Sequence, residues 1–228
     1  MGDCHCRWRG LKININSSSN SNSNSIRIIS GKFRGRKLNF KPAEGLRPSA
    51  DRVRETLFNW LMNDVIDSRC LDLYAGTGAL GLEAISRGAA EVVFLELNKS
   101  SVENIKNTLS DWKIGDPAYS PGQSPGQSPG QVKLCNALSY LAEPREKLFP
   151  KIFNLVFCDP PFRQDLLLPT LNLLIKNHWI DKTTLIYLEC EADLDLNLEL
   201  LKLDAGKIKI LKQKKTQQVI YSLGVLDY

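Results

Sequence analysis

The 228-residue chain has no apolar run near the roughly 18 residues a membrane span needs, which excludes a helical integral membrane protein. Its first ten residues, MGDCHCRWRG, hold no apolar h-region, so export by a signal peptide is not expected. The Ser-rich, acid-poor stretch that follows would also suit an organellar transit segment. Histidine is scarce: His5 and His178 are the only two. Cys4-His5-Cys6 lacks a second ligand pair, so no metal site is expected. Neither histidine is placed to activate Cys158 as a nucleophile. The six cysteines are irregularly spaced and make no disulfide framework, which points to a reducing, cytoplasmic setting. With 43% apolar and 24% charged residues, most of the chain should fold into a globular body.

Charge is distributed unevenly. Residues 26–54 carry nine cations against only Glu44 and Asp51, a local +7, and residues 1–25 add +2. The overall charge is +5, so residues 55–228 sum to −4. A basic arm on a mildly acidic body suits a polyanion, because each neutralised phosphate releases condensed counterions. A solvated basic face is the alternative reading. A second, weaker basic cluster comprises Lys207, Lys209, Lys212, Lys214 and Lys215.

Two tracts have nothing to bury. SSSNSNSNS (17–25) belongs to a disordered head, residues 1–25. Three SPGQ repeats (120–131) make a flexible insertion loop over 116–131. Elsewhere strands and helices alternate. IRIISG (26–31) and RKLNF (36–40) form a short hairpin, and a helix starts at Asp51, which is the expected N-cap. Strands are expected at 69–75, 91–96, 132–135, 153–159 and 184–190, with helices at 79–87, 98–112, 137–142 and 165–177 between them. A final hairpin spans 206–225. This order predicts an α/β fold with a mostly parallel sheet and an antiparallel C-terminal pair. The basic hairpin and helix (26–64) precede the main domain (65–228). Ligands of such sheets bind outside the carboxyl ends of the strands.

LDLYAGTGALGLEA (71–84) places a glycine turn between a buried strand and a helix. Gly76, Gly78 and Gly81 satisfy the G-x-G-x-x-G pattern of dinucleotide sites, but Asp72 inside the strand suits a cationic amine better than a pyrophosphate. Glu96 ends the next strand, where an acid would hold ribose hydroxyls. The second signal is CDPPF (158–162), directly after a buried strand. Pro160 and Pro161 make a rigid corner and hold Asp159 extended. Asp159 and the Pro160 carbonyl can accept hydrogen bonds from an amino group, while Phe162 can stack on a planar base.

DLYAGTG followed by DPPF resembles the S-adenosylmethionine-dependent methyltransferases that modify planar amino nitrogens. GKFRGRKLNF (31–40), GLRPSADRVRETLFNWL (45–61), CLDLYAGTGALGLEAISRGA (70–89), FLE and CDPPF together resemble the RsmD family, over residues 26–225. That resemblance implies a seven-stranded Rossmann-like class I methyltransferase sheet with a small N-terminal hairpin element. It implies methylation of guanine N2 in 16S rRNA, at guanine 966 in the usual rRNA numbering, within a small-subunit assembly particle. S-adenosylmethionine would be held by Asp72, Tyr74, Gly76, Thr77, Gly78, Glu96, Asn136 and Ala137. Many methyltransferases carry Asp where Asn136 stands. Asp159, Pro160, Pro161 and Phe162 would be catalytic. Arg34, Arg36, Arg47, Arg52 and Arg54 would hold the RNA backbone, with Arg54 alternatively paired internally to Glu55. No membrane or metal partner is expected, and a monomer is the default. Other readings are an amino-methyltransferase for DNA or RNA adenine or for a protein glutamine, a Rossmann oxidoreductase, and a non-catalytic RNA-binding protein.

Overall fold

The computed structural model describes residues 24–40, 51–115, 129–149, 151–204 and 207–227. The Ser/Asn head up to residue 23, Cys4-His5-Cys6, Arg47 and most of the SPGQ loop lie outside them, while Asn24 and Ser25, expected in the disordered head, open a strand instead. The last residues assigned to that loop, Gly130 and Gln131, belong to a strand instead.

A two-stranded antiparallel hairpin, β1 (Asn24–Arg27) and β2 (Lys37–Phe40), comes first and is followed by helix α1 (Asp51–Trp60). The main sheet alternates β3 (Arg69–Asp72), α2 (Ala79–Ser86), β4 (Glu91–Glu96), α3 (Lys99–Asp111) and β5 (Gly130–Leu134). It continues through short helices α4 (Ala137–Leu141) and α5 (Arg145–Leu148) to β6 (Leu155–Cys158), α6 (Leu167–Lys176) and β7 (Leu185–Glu191). Helix α7 (Leu196–Leu200) and the hairpin β8 (Lys207–Lys215) and β9 (Val219–Asp227) complete it. The sequence pattern did not reveal the short helices α5 and α7.

The seven strands lie in the order β5-β4-β3-β6-β7-β9-β8. The first five are mutually parallel, and β9 runs antiparallel between β7 and β8. Because side chains alternate across a strand, the sheet has two cores. Cys70, Phe94, Phe157 and Tyr187 face the hairpin, α1, α2 and α3. Leu71, Val93, Val156 and Leu188 face α4, α6 and α7. Strands buried on both faces explain the continuous apolar runs LVFC (155–158) and VVFL (92–95). Among the described residues, no helix is long and apolar enough to cross a membrane.

A main fastening of the basic extension to the main domain is Glu83 of α2, which is fully buried. Its carboxylate accepts from the backbone N–H groups of Ile29 (2.8 Å) and Ser30 (3.0 Å) and from Arg87 Nε (2.7 Å). The same helix ends at Ser86, whose carbonyl accepts from Lys32 N at 2.7 Å and whose hydroxyl accepts from Phe33 N at 2.9 Å. The hairpin tip is therefore tied to the end of α2, beside the amino ends of the strands.

Candidate active site

The carboxyl ends of β3, β4, β6 and β7 open on one cleft of about 1410 Å³. A small-molecule site typically occupies roughly 300–1,000 Å³, so this cleft has room for a cofactor and a second planar group. Asp72, Tyr74, Gly76, Thr77, Glu96, Asn136 and Ala137 line it together with Asp159, Pro160, Pro161 and Phe162.

The glycine turn is shaped by backbone conformations that other residues resist. Gly76 and Gly78 have φ of 54° and 77°, and Gly78 forms the N-cap of α2. Gly78 stands behind the cleft wall rather than on it: a Cβ there would lie 3.0 Å from Ile105 Cγ1. At Gly81 a Cβ would come 2.2 Å from the Phe94 ring, so the third glycine of the pattern lets α2 pack on β4. Its role is helix–sheet packing.

Asp72 is buried and accepts from Gly81 N at 3.1 Å. Burial pushes its carboxyl up to about 7, the Gly81 hydrogen bond opposes this, and the negative charge of Glu96 adds to it. Glu96 accepts from Gly76 N and from Asn98 N, each at 2.6 Å, and so closes the turn against the end of β4. Tyr74 shares a 2.6 Å hydrogen bond with Thr170, and burial pushes its phenol up, which keeps it protonated. Asn98 and Asn136 are N-caps of α3 and α4, accepting from Ser101 N and Ser139 N at 3.1 Å. In each amide the carbonyl oxygen makes that cap bond.

On the other side of the cleft, the corner after β6 is held at its exit. Arg163 takes a left-handed φ of 58°, and its N–H donates to Glu191 of β7. Pro160 is buried, Pro161 exposed, and Phe162 half-buried against the core. Cys158 is fully buried, and burial pushes its thiol up, so it remains a protonated core residue.

The arginines separate into three groups. Arg52, on the first turn of α1, is exposed and lines the cleft beside Val53 and Thr56. Arg34 and Arg36 are exposed on the hairpin tip at the opposite edge of the sheet, away from the cleft. The Arg36 guanidinium sits 5.1 Å from the Phe33 ring centroid and 5.6 Å from that of Trp112. Arg54 requires a correction. It is fully buried, with Nη2 donating to the Arg27 carbonyl (2.5 Å) and to Asp51 (3.0 Å), and Nε 3.9 Å from Glu83. It cannot reach RNA, and its partners are Asp51 and Glu83 rather than Glu55. Asp51, expected as the N-cap of α1, is instead its first helical residue.

Several lining residues were not foreseen. Lys214, Lys215 and the turn Thr216–Gln218 between β8 and β9 border the cleft, as does Glu189 of β7. The lysines were visible only as a charge cluster. Glu189 had one signal: it is an acid near the carboxyl end of an otherwise apolar strand, as Asp72 is.

This strand order and this pair of loops belong to the class I methyltransferases. The family described as Conserved hypothetical protein 95 matches residues 26–224. The chain is 45% identical over 168 residues to ribosomal RNA small subunit methyltransferase D of Escherichia coli K12, covering 74% of this chain and 76% of that protein. It is 40% identical over 200 residues to the protein of the same name in Haemophilus influenzae, covering 87% and 92%. A solved structure from Escherichia coli, described as the methyltransferase yhhF, superposes with a TM-score of 0.71 at 39% identity, covering 90% of this chain and 99% of that one. The chain belongs to this family, the RsmD family, to which its motifs pointed.

Proposed function

We propose that this protein methylates the exocyclic N2 of one guanine in 16S rRNA, using S-adenosylmethionine, on a small-subunit assembly particle. The observation that carries the reading is the meeting of the glycine turn and the Asp159-Pro160-Pro161-Phe162 corner in a single cleft. The relatives' shared name, ribosomal RNA small subunit methyltransferase D, supports the choice of RNA. Guanine 966 is the target position that the family resemblance favours.

The residues fit the cofactor. Asp72 is a carboxyl whose ionisation is held back by burial, and an α-ammonium group would supply a compensating charge. Glu96 stands at the end of β4, where ribose hydroxyls would meet it, and Asn136 with Ala137 opens α4 toward the adenine. When bound, S-adenosylmethionine supplies an activated methyl group on a sulfonium.

Asp159 and the Pro160 carbonyl accept hydrogen bonds from the guanine amino group. They favour a more pyramidal nitrogen and stabilise the positive charge that develops there. Phe162 stacks on the base and fixes its plane, which aligns the nitrogen for an in-line displacement. Once the amino nitrogen has taken the methyl group from the sulfonium, Asp159 or water would accept the proton it releases, and the cofactor would depart as a neutral thioether. The guanine must be unstacked to enter the cleft. Arg52 holds the backbone at the entrance. Arg34 and Arg36 would serve a more distant stretch of RNA, and Arg47, outside the described residues, keeps its proposed role on the RNA backbone.

Small-subunit rRNA and particles would be incubated with labelled S-adenosylmethionine, and the product mapped by nucleotide mass spectrometry. N2-methylguanosine at one 16S position is the expected result. Label on adenine or on protein would overturn the substrate assignment, and no label on any particle despite cofactor binding would favour the non-catalytic reading.

A further inference from the structure

Beside the Asp159 corner lies a second carboxylate that the proposed methyl-transfer chemistry does not use. Cys158 of β6 and Leu188 of β7 are register partners in the parallel pair. Asp159 follows directly where β6 ends and Glu189 follows Leu188 on β7, so the two acids stand side by side at the carboxyl edge, roughly 4.8 Å apart in strand spacing. Both line the cleft. Glu189 is buried, and its Oε2 accepts from the Tyr187 hydroxyl at 2.5 Å. Burial, followed by the charges of Glu189 and Asp159, holds the Tyr187 phenol far above its ordinary range, so that hydroxyl remains a donor.

A ligand with two adjacent donors could bond both acids at once. A carboxylate has about four acceptor sites, so the Tyr187 bond orients Glu189 without exhausting it. Guanine offers such a pair of donors on one edge, the N2 amino group and N1–H. Adenine offers an acceptor at N1, which would face the carboxylate lone pairs.

We infer that Glu189, positioned by Tyr187, is the residue that selects guanine, by accepting from N1–H while Asp159 accepts from the amino group. This rests on the proposed guanine-N2 activity and adds the basis of its base choice. Glu189 touches the substrate base, and Tyr187 acts only by orienting it.

The test uses 16S rRNA with 2-aminopurine ligated at the position the wild-type enzyme methylates. This analogue keeps the 2-amino group but carries an acceptor at N1. A site built to accept from a substrate N–H rejects an analogue lacking it by as much as about 10⁴-fold, so the wild-type kcat/KM ratio of guanine to 2-aminopurine should be on the order of 10³ or more. Glu189→Gln presents an amide that can donate to the N1 acceptor, and the ratio should fall to roughly tenfold or less. Tyr187→Phe leaves the carboxylate in place but frees its orientation, so it should lower the ratio about tenfold, and it serves as the test if Glu189→Gln does not fold. A purely structural glutamate would change overall activity and leave the ratio fixed. A wild-type ratio near one, or an unchanged ratio in the folded variants, overturns the inference while the guanine activity stands. Wild-type label on adenine or on protein overturns both.

Discussion

Arg54 Nε lies 3.9 Å from Glu83 Oε2, and neither side chain reaches solvent. The pair joins α1 to α2, while Asp51 and the Arg27 carbonyl take the Arg54 Nη2 donor. Burial lowers the Arg54 pKa, and the charges of Asp51 and Glu83 oppose that shift. Glu83 meanwhile caps two backbone N–H groups of the segment after β1. One carboxylate thus couples the helix of the glycine turn to the basic extension.

Removing one partner of a buried ion pair strands the other charge, at a typical cost of about 3–5 kcal/mol. Arg54→Ala should lose stability of that order in urea denaturation. Arg54→Lys should not restore it, because a single ammonium cannot span Asp51, Glu83 and the Arg27 carbonyl together. The salt slope of RNA binding by the folded variant should match wild type. A reduced slope would return Arg54 to the RNA surface.

Arg54 could have been placed inside from the sequence. It forms an i, i+3, i+4, i+7 stripe with Leu57, Phe58 and Leu61, so it lies on the apolar face of its own helix. Glu83 gave the same sign, as an acid in a helix apolar all round. The glycine turn and the Asp-Pro-Pro-Phe corner were legible because each is a local device: its residues set the backbone within a few positions. The sheet followed from its strand–helix alternation. The place of Glu189 beside Asp159 was not legible, because it depends on the pairing of β6 with β7. Arg34 and Arg36 were grouped with Arg52 by proximity in the chain, but the ties to Glu83 and Ser86 carry their turn to the far edge of the sheet.

Asp72 makes both stability and cofactor affinity depend on pH. Its carboxyl titrates near 7 in the free folded protein, against 3.8 in an unperturbed chain. Between those values the folded state holds a proton that the unfolded state has released. Its contribution to stability therefore declines as pH rises from about 4 to about 7, then levels off. A cofactor ammonium reverses the preference and draws the carboxylate into its charged form. Binding should release a proton below pH 7, and affinity should rise up to about tenfold per pH unit until it flattens above 7. Titration calorimetry in buffers of different ionisation enthalpy reads both quantities. Asp72→Asn should bind more weakly and show neither effect, and a wild-type affinity flat across this range would exclude an ionising Asp72 at the cofactor.

Asp159→Ala should separate binding from chemistry. The acceptor is lost but the cofactor half of the cleft is untouched, so affinity for S-adenosylmethionine should stay within about twofold of wild type. Turnover at saturating cofactor and RNA should fall by roughly 10²–10³, as for loss of one preorganised electrostatic contact. Single-turnover methylation measures the chemical step directly. Full turnover in this variant would remove Asp159 from the reaction.

The cleft is bordered by cations from opposite ends of the chain, Arg52 from α1 and Lys214 with Lys215 from the last hairpin. All three are exposed. An RNA strand delivering a base between them would neutralise phosphates on both sides, and its affinity should fall steeply with salt. Each phosphate contact removed should lower the slope of log K against log salt by about one. Arg52→Ala, Lys214→Ala and Lys215→Ala should each do so and weaken capture, whereas kcat at saturating RNA should change little. Arg34→Ala and Arg36→Ala lie at the far edge of the sheet. They should lower the slope only for substrates long enough to wrap the body, such as whole 16S rRNA, and not for a short fragment around the target. Filter binding with both substrates across a salt series distinguishes the two surfaces. Equal loss on the short fragment from the Arg34 and Arg36 variants would mean that the hairpin tip, rather than the Arg52–Lys215 rim, guides RNA to the cleft.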